Sequence, residues 1–436
     1  MILNLLSTEA SVAGGSLPYE ALLILALVLL LGLYAGRFFE KIKLPHITGY
    51  IIMGVLIGGI IVALKLTDAV ESLEIVSSVA LGFIAFSIGT ELQFNKLKKS
   101  GKEVVVITII QAVMASVITI AGLLSLNLIF PGLVSLPIAL VLGAIATATA
   151  PAPIMLLTRK YRAKGPLTDV LLPLVGMDDA VGIVLFGVLL SVANSIKGGT
   201  DLSVIEMLEG PFFELLFSAI IGALIGYGTA LLIKKIKSRD SQKEEVFLSV
   251  SVFAVFATVA FAKMGLHIGD FAIHLSPILT PMIMGVVLTN SLSRVRAHDV
   301  NLSVETFSAP ILIAFFTLAG SELVVAFAHN AHVEFGPIIG ITAAYIVLRS
   351  IGKVYGAQFG AKLMNSHRNV KKYLGLCLLP QAGVALGMAY QAKSDFGDAG
   401  TTVLIVVLIA TLVYELFGPI GVKMALHDAN EIQIEK

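Results

Sequence analysis

IAFSIGTEL at residues 84–92 and IAFFTLAGSEL at residues 313–323 carry one pattern twice: Gly89-Thr90-Glu91-Leu92 recurs as Gly320-Ser321-Glu322-Leu323. Both copies lie in apolar stretches of about twenty residues, the length that crosses a bilayer as a helix. The composition around them agrees. The chain is 57% hydrophobic and 14% charged, with a mean hydropathy of +0.94, far more apolar than a soluble domain. A net charge of +1 points to no nucleic acid or acidic partner. The single Cys377 excludes a disulfide framework and sets no redox compartment. The N-terminal MILNLLSTEASVAGG has no basic n-region, so no cleaved signal is expected.

A window of about 19 residues predicts thirteen spans, near 19–38, 45–64, 73–93, 103–124, 135–157, 167–195, 211–234, 245–263, 275–291, 303–327, 335–361, 372–392 and 399–425. Basic residues follow every odd-numbered span up to the eleventh. Arg37, Lys41 and Lys43 come after the first, Lys96 to Lys102 after the third, Arg159 to Lys164 after the fifth, and Lys234 to Lys243 after the seventh. Arg294 and Arg296 follow the ninth, and Lys362 to Lys372 the eleventh. By the positive-inside rule the N-terminus is outside and the C-terminus cytoplasmic, in a cell membrane crossed many times. Of all thirty basic residues, only Arg349 and Lys353 fall in the interior of a span, more than a residue from its ends.

Orientation turns the repeated motif into an architecture. The third and tenth spans are seven apart, an odd number, so their motifs lie at opposite faces. That is an inverted-topology repeat. The fold class predicted is an all-α polytopic membrane protein with about thirteen helices: residues 19–195 form the first repeat, 211–234 a linker helix, and 245–425 the second. An offset of about 231 residues pairs the fifth span with the twelfth and the sixth with the thirteenth.

The sixth span, within LLPLVGMDDAVGIVLFGVLL (171–190), places Asp178 and Asp179 at mid-membrane depth, where ionisable groups are costly and usually functional. A helix end with both acids in water is the simpler alternative. Roughly ten apolar-dominated residues on each side, and no turn signal after Asp179, oppose it. The paired fifth and twelfth spans look broken. In GAIATATAPAPIML (143–156), Pro151 and Pro153 lack N–H groups and, if helical, free the carbonyls of Thr147 and Thr149, which with the two hydroxyls suit a small cation. A kink repaired by neighbouring helices is the alternative reading. In LLPQAGVALGMAY (378–390), Pro380 and Gly383 interrupt the helix at the equivalent depth. Two interrupted spans at corresponding positions of two repeats point to a midplane binding site.

With these segments in order, the chain resembles the bacterial cation/proton antiporter superfamily, in its branch of sodium/proton and Kef-type exchangers. LPHITGYIIMGVLIG (44–58), GMDDAVGIV (176–184), LRSIGKVYGAQFGAKL (348–363) and ELFGPIGVK (415–423) carry the resemblance beside the strings above. It implies two crossed discontinuous helices, a homodimer, and an elevator-like movement of a core, 73–195 with 303–425, against a dimerisation part, 19–64 with 211–291. It implies that Asp179 is the aspartate that binds cation or proton. Asp178 is then its neighbour, acidic in electrogenic members, and Lys353 is the lysine that pairs with Asp178 when no ion is bound. Arg349, one turn away on the same face, leaves the choice of charge partner open. Kef-type members carry a cytosolic nucleotide-binding domain, and none is expected in this sequence.

A carboxyl taken partly out of water rises from about 3.9 by roughly three units, towards neutrality. Proton and cation then displace one another, and alternate opening to the two faces makes that competition an exchange. The expected activity is antiport of sodium for protons, electrogenic, in a transporter rather than an enzyme, with no cofactor or structural metal. Lithium or potassium are alternative cations, and potassium efflux and sodium-coupled solute symport alternative activities. Glu415, in the last span, is read as a hydrogen-bonded or capping residue rather than a relay. Glu91 and Glu322 are read as capping or gate-lining, and His267, Asp270 and His274 as a solvated loop rather than a metal site.

Overall fold

The computed structural model describes residues 19–42, 44–197, 204–235, 243–264, 266–268, 271–273, 275–329 and 335–433. Its helices are α1 (Tyr19–Lys41), α2 (His46–Leu64), α3 (Thr67–Glu71), α4 (Glu74–Glu91), α5 (Phe94–Ile129), α6 (Leu136–Ile145), α7 (Pro151–Lys160) and α8 (Pro166–Lys197). They continue as α9 (Val204–Lys235), α10 (Lys243–Met264), α11 (Leu279–Ser291), α12 (Arg294–His329), α13 (Phe335–Leu363), α14 (Arg368–Cys377), α15 (Gly383–Phe396) and α16 (Asp398–Asp428). Among the described residues the only strands are the three-residue β1 (Leu266–Ile268) and β2 (Phe271–Ile273), an antiparallel pair before α11. Of the expected loop trio, His267 lies on β1, while Asp270 and His274 fall outside the described residues.

Among the described residues, ten stretches of helix are long and apolar enough to cross a membrane. The expected fifth and twelfth spans are each split into two short helices, α6 with α7 and α14 with α15, and the ninth is the 13-residue α11. The fifth span is interrupted, as its sequence suggests, and the alternative of a kinked continuous helix does not form. The helix stops at Ile145 and restarts at Pro151, with an unwound bridge between. At the first position of a helix a missing N–H costs nothing, which is why Pro151 can start α7 there.

Large apolar side chains on α1, α9 and α13, such as Leu22, Leu30, Tyr34, Leu224, Tyr227, Tyr355 and Phe359, are exposed. An outer surface of this kind suits lipid rather than water. Inside, helices approach through small residues. A Cβ on Gly54 would meet the Thr317 carbonyl and the Cα of Gly320, and one on Gly285 would meet the Phe86 carbonyl and the Cα of Gly89. These two crossings, α2 on α12 and α11 on α4, are one contact made reciprocally between the repeats: Gly54 and Gly285, like Gly89 and Gly320, are 231 positions apart. Close backbone contact of this kind replaces the hydrophobic drive that helices lack in lipid.

Candidate functional site

The two unwound bridges, residues 146–150 and 378–382, cross in the interior. The Ala150 N–H donates to the Pro380 carbonyl at 2.9 Å, and the Thr149 hydroxyl to the Leu378 carbonyl at 3.3 Å. Gln381 donates through Nε2 to the Ile145 carbonyl at 3.0 Å. Each bridge leaves helix-end carbonyls without a ladder partner, and the last turns of α6 and α14 carry partial negative charge. Two buried cations answer that demand.

Arg349 is the first. Its Nη1 donates to the Leu379 carbonyl at 2.8 Å and its Nη2 to the Ala148 carbonyl at 2.6 Å, one in each bridge. The guanidinium stacks 4.3 Å from the Tyr414 ring, whose hydroxyl donates to the Ile346 carbonyl at 2.7 Å. Arg349 therefore does not partner either aspartate, the alternative that the sequence left open. A planar fork reaches the two bridges from two separate nitrogens in a fixed geometry, and the guanidinium is committed to the crossing. Arg349→Gln is expected to lower stability by about 3 kcal/mol, through loss of charge-assisted bonds, while exchange per folded molecule persists. Thermal unfolding in detergent beside liposome transport checks both halves.

Lys353 is the second, and it does meet the acids. Its Nζ lies 2.8 Å from Asp178 Oδ2, with both side chains fully buried. The same ammonium donates to Gln111 Oε1 and Thr149 Oγ1, each at 2.8 Å, and to the Thr147 carbonyl. Gln111 closes the group by donating to Asp178 Oδ1 and, at 3.0 Å, to the Thr108 carbonyl. The α13 glycines let this network form. A Cβ on Gly352 or Gly356 would lie 2.6 Å from the Ala115 Cα or 2.9 Å from the Gln111 Cα, so α13 presses onto α5 where Lys353 and Gln111 sit. In this state Thr147 and Thr149 serve the lysine. The Thr147 hydroxyl bonds back to the Ala144 carbonyl at 2.7 Å.

Asp179, about 100° further round α8, faces elsewhere. It is buried, and its Oδ1 has no hydrogen-bond partner among the described residues. It lies against the Thr149 main-chain N–H. α8 comes this close because Gly182 has no side chain: a Cβ there would stand 2.6 Å from Thr147 Oγ1. One turn before Asp179, Val175 and Gly176 line a funnel of about 940 Å³ whose walls include Glu91, Pro151, Arg159, Asp169, Pro173 and Arg294. The funnel opens at the end of the molecule rich in basic residues. Two sets of contacts tie the helices together at the opposite end. Lys393 on α15 pairs with Glu322 on α12 at 2.7 Å, and Phe315 packs between Tyr390 and Phe316, ring centroids 5.2 and 5.1 Å apart.

Glu415 departs from expectation. It is fully buried, but neither carboxyl oxygen has a hydrogen-bond partner among the described residues, so it caps nothing and is tied to nothing. Its neighbour Tyr414 takes the structural role. Sequence alone did not reveal Gln111, Gln381 or Tyr345, which bonds Gln381 through its hydroxyl at 2.9 Å. A lone Gln in the apolar run ITIIQAVMAS, and another directly after Pro380, were the available signals.

Fold and site together define a polytopic membrane transport protein built on inverted repeats that cross at a buried charged centre. The chain belongs to the sodium/hydrogen exchanger family, whose transmembrane profile matches residues 24–426. Relatives include the ammonium/H⁺ antiporter subunit AmhT of Alkalihalophilus pseudofirmus, 21% identical over 85% of this chain and 86% of that protein. The K⁺/H⁺ antiporter subunit KhtU of Bacillus subtilis is 21% identical over 88% of each chain. The high-affinity Na⁺/H⁺ antiporter NhaS3 of Synechocystis is 22% identical over 94% of this chain and 90% of its own. The sodium proton antiporter MjNhaP1 of Methanocaldococcus jannaschii, solved at pH 8, shares the fold, with a TM-score of 0.68 and 20% identity over 96% of this chain and 99% of that one.

Proposed function

We propose that the protein exchanges a monovalent cation, sodium first, for protons at Asp179. The observation that carries this reading is the Asp179 carboxyl itself, buried with an unpartnered oxygen, one helical turn beyond the funnel-lining Val175 and Gly176 and beside an unwound backbone. A dehydrated cation arriving there meets a carboxylate and main-chain oxygens, the donor set of a midplane ion site. A proton competes for the same carboxylate, and access that alternates between faces makes the competition an exchange.

By the positive-inside rule the funnel faces the cytoplasm, the N-terminus lies outside, and the protein sits in the plasma membrane. The state is then inward-open, with Glu322–Lys393 and the aromatic cluster closing the outer side. Residues 73–195 and 303–425 form the moving core, and 19–64 with 211–291 form the scaffold that pairs two copies in a homodimer. The glycine crossings of α2 on α12 and α4 on α11 straddle that boundary. Smooth backbone contacts suit sliding, because few side chains interlock across them. Lys353 supports an electrogenic cycle: if the cation displaces it from Asp178 and it loses a proton, two protons move against one cation. One net charge then crosses, coupled to the membrane potential by about 2.3 kcal/mol per 100 mV.

The names of the relatives support monovalent cation exchange and give potassium as the second reading. The test is purified protein in liposomes under an imposed pH gradient, with a proton-sensitive dye inside. Addition of sodium, lithium, potassium or ammonium in turn is expected to collapse the gradient with sodium at the lowest concentration. A response to potassium alone selects the second reading, and no response to any cation overturns both.

A further inference from the structure

The segment after α16 reaches back to the helix that bears the aspartates. α16 ends with Asn430 in the left-handed region (φ 56°), and the Glu431 N–H bonds five residues back to the Leu426 carbonyl at 3.0 Å. This reversal is one that Asn tolerates. It aims the Glu431 side chain at the first turn of α8. There the carboxylate accepts from the Leu167 N–H at 2.7 Å, the Thr168 N–H at 2.8 Å and the Thr168 hydroxyl at 2.7 Å. Glu431 is 3% exposed. Its backbone joins the same connection: Lys164 N–H donates to the Glu431 carbonyl at 3.0 Å, and Gln433 N–H to the Tyr161 carbonyl at 3.1 Å. Asn369, at the start of α14, donates to the Ala429 carbonyl at 2.9 Å. The fit is close, since a Cβ on Gly165 would stand 2.5 Å from the Glu431 carboxyl carbon.

This cap is supplied by a residue more than 260 positions away in sequence. A helix start leaves its first N–H groups unpaired, and a carboxylate there both accepts from them and matches the local positive end. Beyond the capped turn, α8 forms a wall of the funnel through Asp169, Leu172, Pro173, Val175, Gly176 and Met177, directly before Asp178 and Asp179. Pro173 already removes one ladder bond within that stretch, so the wall depends more than usual on its anchored end.

We propose that Glu431 is a positioning residue for the ion site: by capping α8 it holds the funnel wall that leads to Asp179. The inference rests on the reading of the funnel as the ion path, and the test separates the two. In the full-length protein, Glu431→Ala is expected to speed amide exchange at Leu167 and Thr168 by about tenfold, the scale of a lost cap. The faster exchange should extend beyond Pro173 to Val175–Met177. Glu431→Gln, which keeps one accepting oxygen, should fall between. In oriented vesicles the apparent cation KM should rise about threefold from the basic face and stay unchanged from the other, with the saturated rate retained. Unchanged amide exchange, exchange confined to the first turn, or an equal loss of transport from both faces overturns the proposal. Absence of cation-dependent flux in the unsubstituted protein would overturn the reading of the function instead, and the amide exchange at Val175–Met177 still judges the role of Glu431.

Discussion

Asp179→Asn is expected to reduce cation-dependent proton movement in liposomes to the level of protein-free vesicles, while the protein folds with undiminished stability. Asn keeps the shape and removes the exchangeable proton. Little holds the carboxyl in place that Asn would forfeit, because Oδ1 accepts no hydrogen bond among the described residues. Burying a neutral amide also costs less than burying a charge. The predicted signature is therefore a split: transport lost, unfolding temperature level or raised. Dye-reported flux and thermal unfolding on the same preparation measure it. Transport retained by the Asn variant would place the ion elsewhere, and a misfolded variant would give Asp179 a structural part that its unpartnered oxygen does not suggest.

Lys353→Gln is expected to produce the opposite split. Removing one member of a fully buried ion pair leaves the other uncompensated, at a cost of about 3–5 kcal/mol, and among the described residues Gln111 is the one hydrogen-bond partner left to Asp178. Stability should fall sharply. Asp178→Asn added to Lys353→Gln should recover most of it, because a double-mutant cycle across a direct contact shows strong coupling. Exchange in the surviving folded protein should lose its response to a valinomycin-clamped potential, while Arg349→Gln keeps that response. If Arg349→Gln loses voltage dependence and Lys353→Gln keeps it, the electrogenic role belongs to Arg349 and not to the lysine. Additive stability losses in the cycle would mean that the 2.8 Å contact between Lys353 and Asp178 carries no net coupling.

The repeat was readable because it is written in backbone requirements. Gly89 and Gly320 recur with the motif, and the structure adds Gly54 and Gly285 at the same spacing, each where two helices touch through main chain. The interruptions were readable because proline punctuates a helix wherever it falls. What Pro151 does, however, depended on context: it begins α7 instead of bending a continuous span. The partners of the charges were not readable. Arg349 and Lys353 share a helix face one turn apart, and only the positions of the two bridges send the guanidinium to Ala148 and Leu379 and the ammonium to Asp178. Glu415 misled for a related reason. A polar residue in a span is commonly tied to a neighbour, yet the side chain that reaches a partner is Tyr414, the residue before it.

The chemistry is also less symmetric than the scaffold. At an offset of 231, Asp178 and Asp179 correspond to Ile409 and Ala410, and Lys353 corresponds to Gly122. Sequence by itself determined the membrane class, the succession of spans, the inverted repeat and the place of the acidic pair in the interior of a long apolar helix, because these depend on hydropathy, length and local backbone chemistry. Tertiary structure alone decided which buried cation neutralises which group, that Asp179 keeps an unpartnered oxygen one turn beyond the lining of a funnel, and that a tail residue caps its helix. Those outcomes arise from contacts between residues tens to hundreds of positions apart, where a displacement of one helical turn exchanges one partner for another.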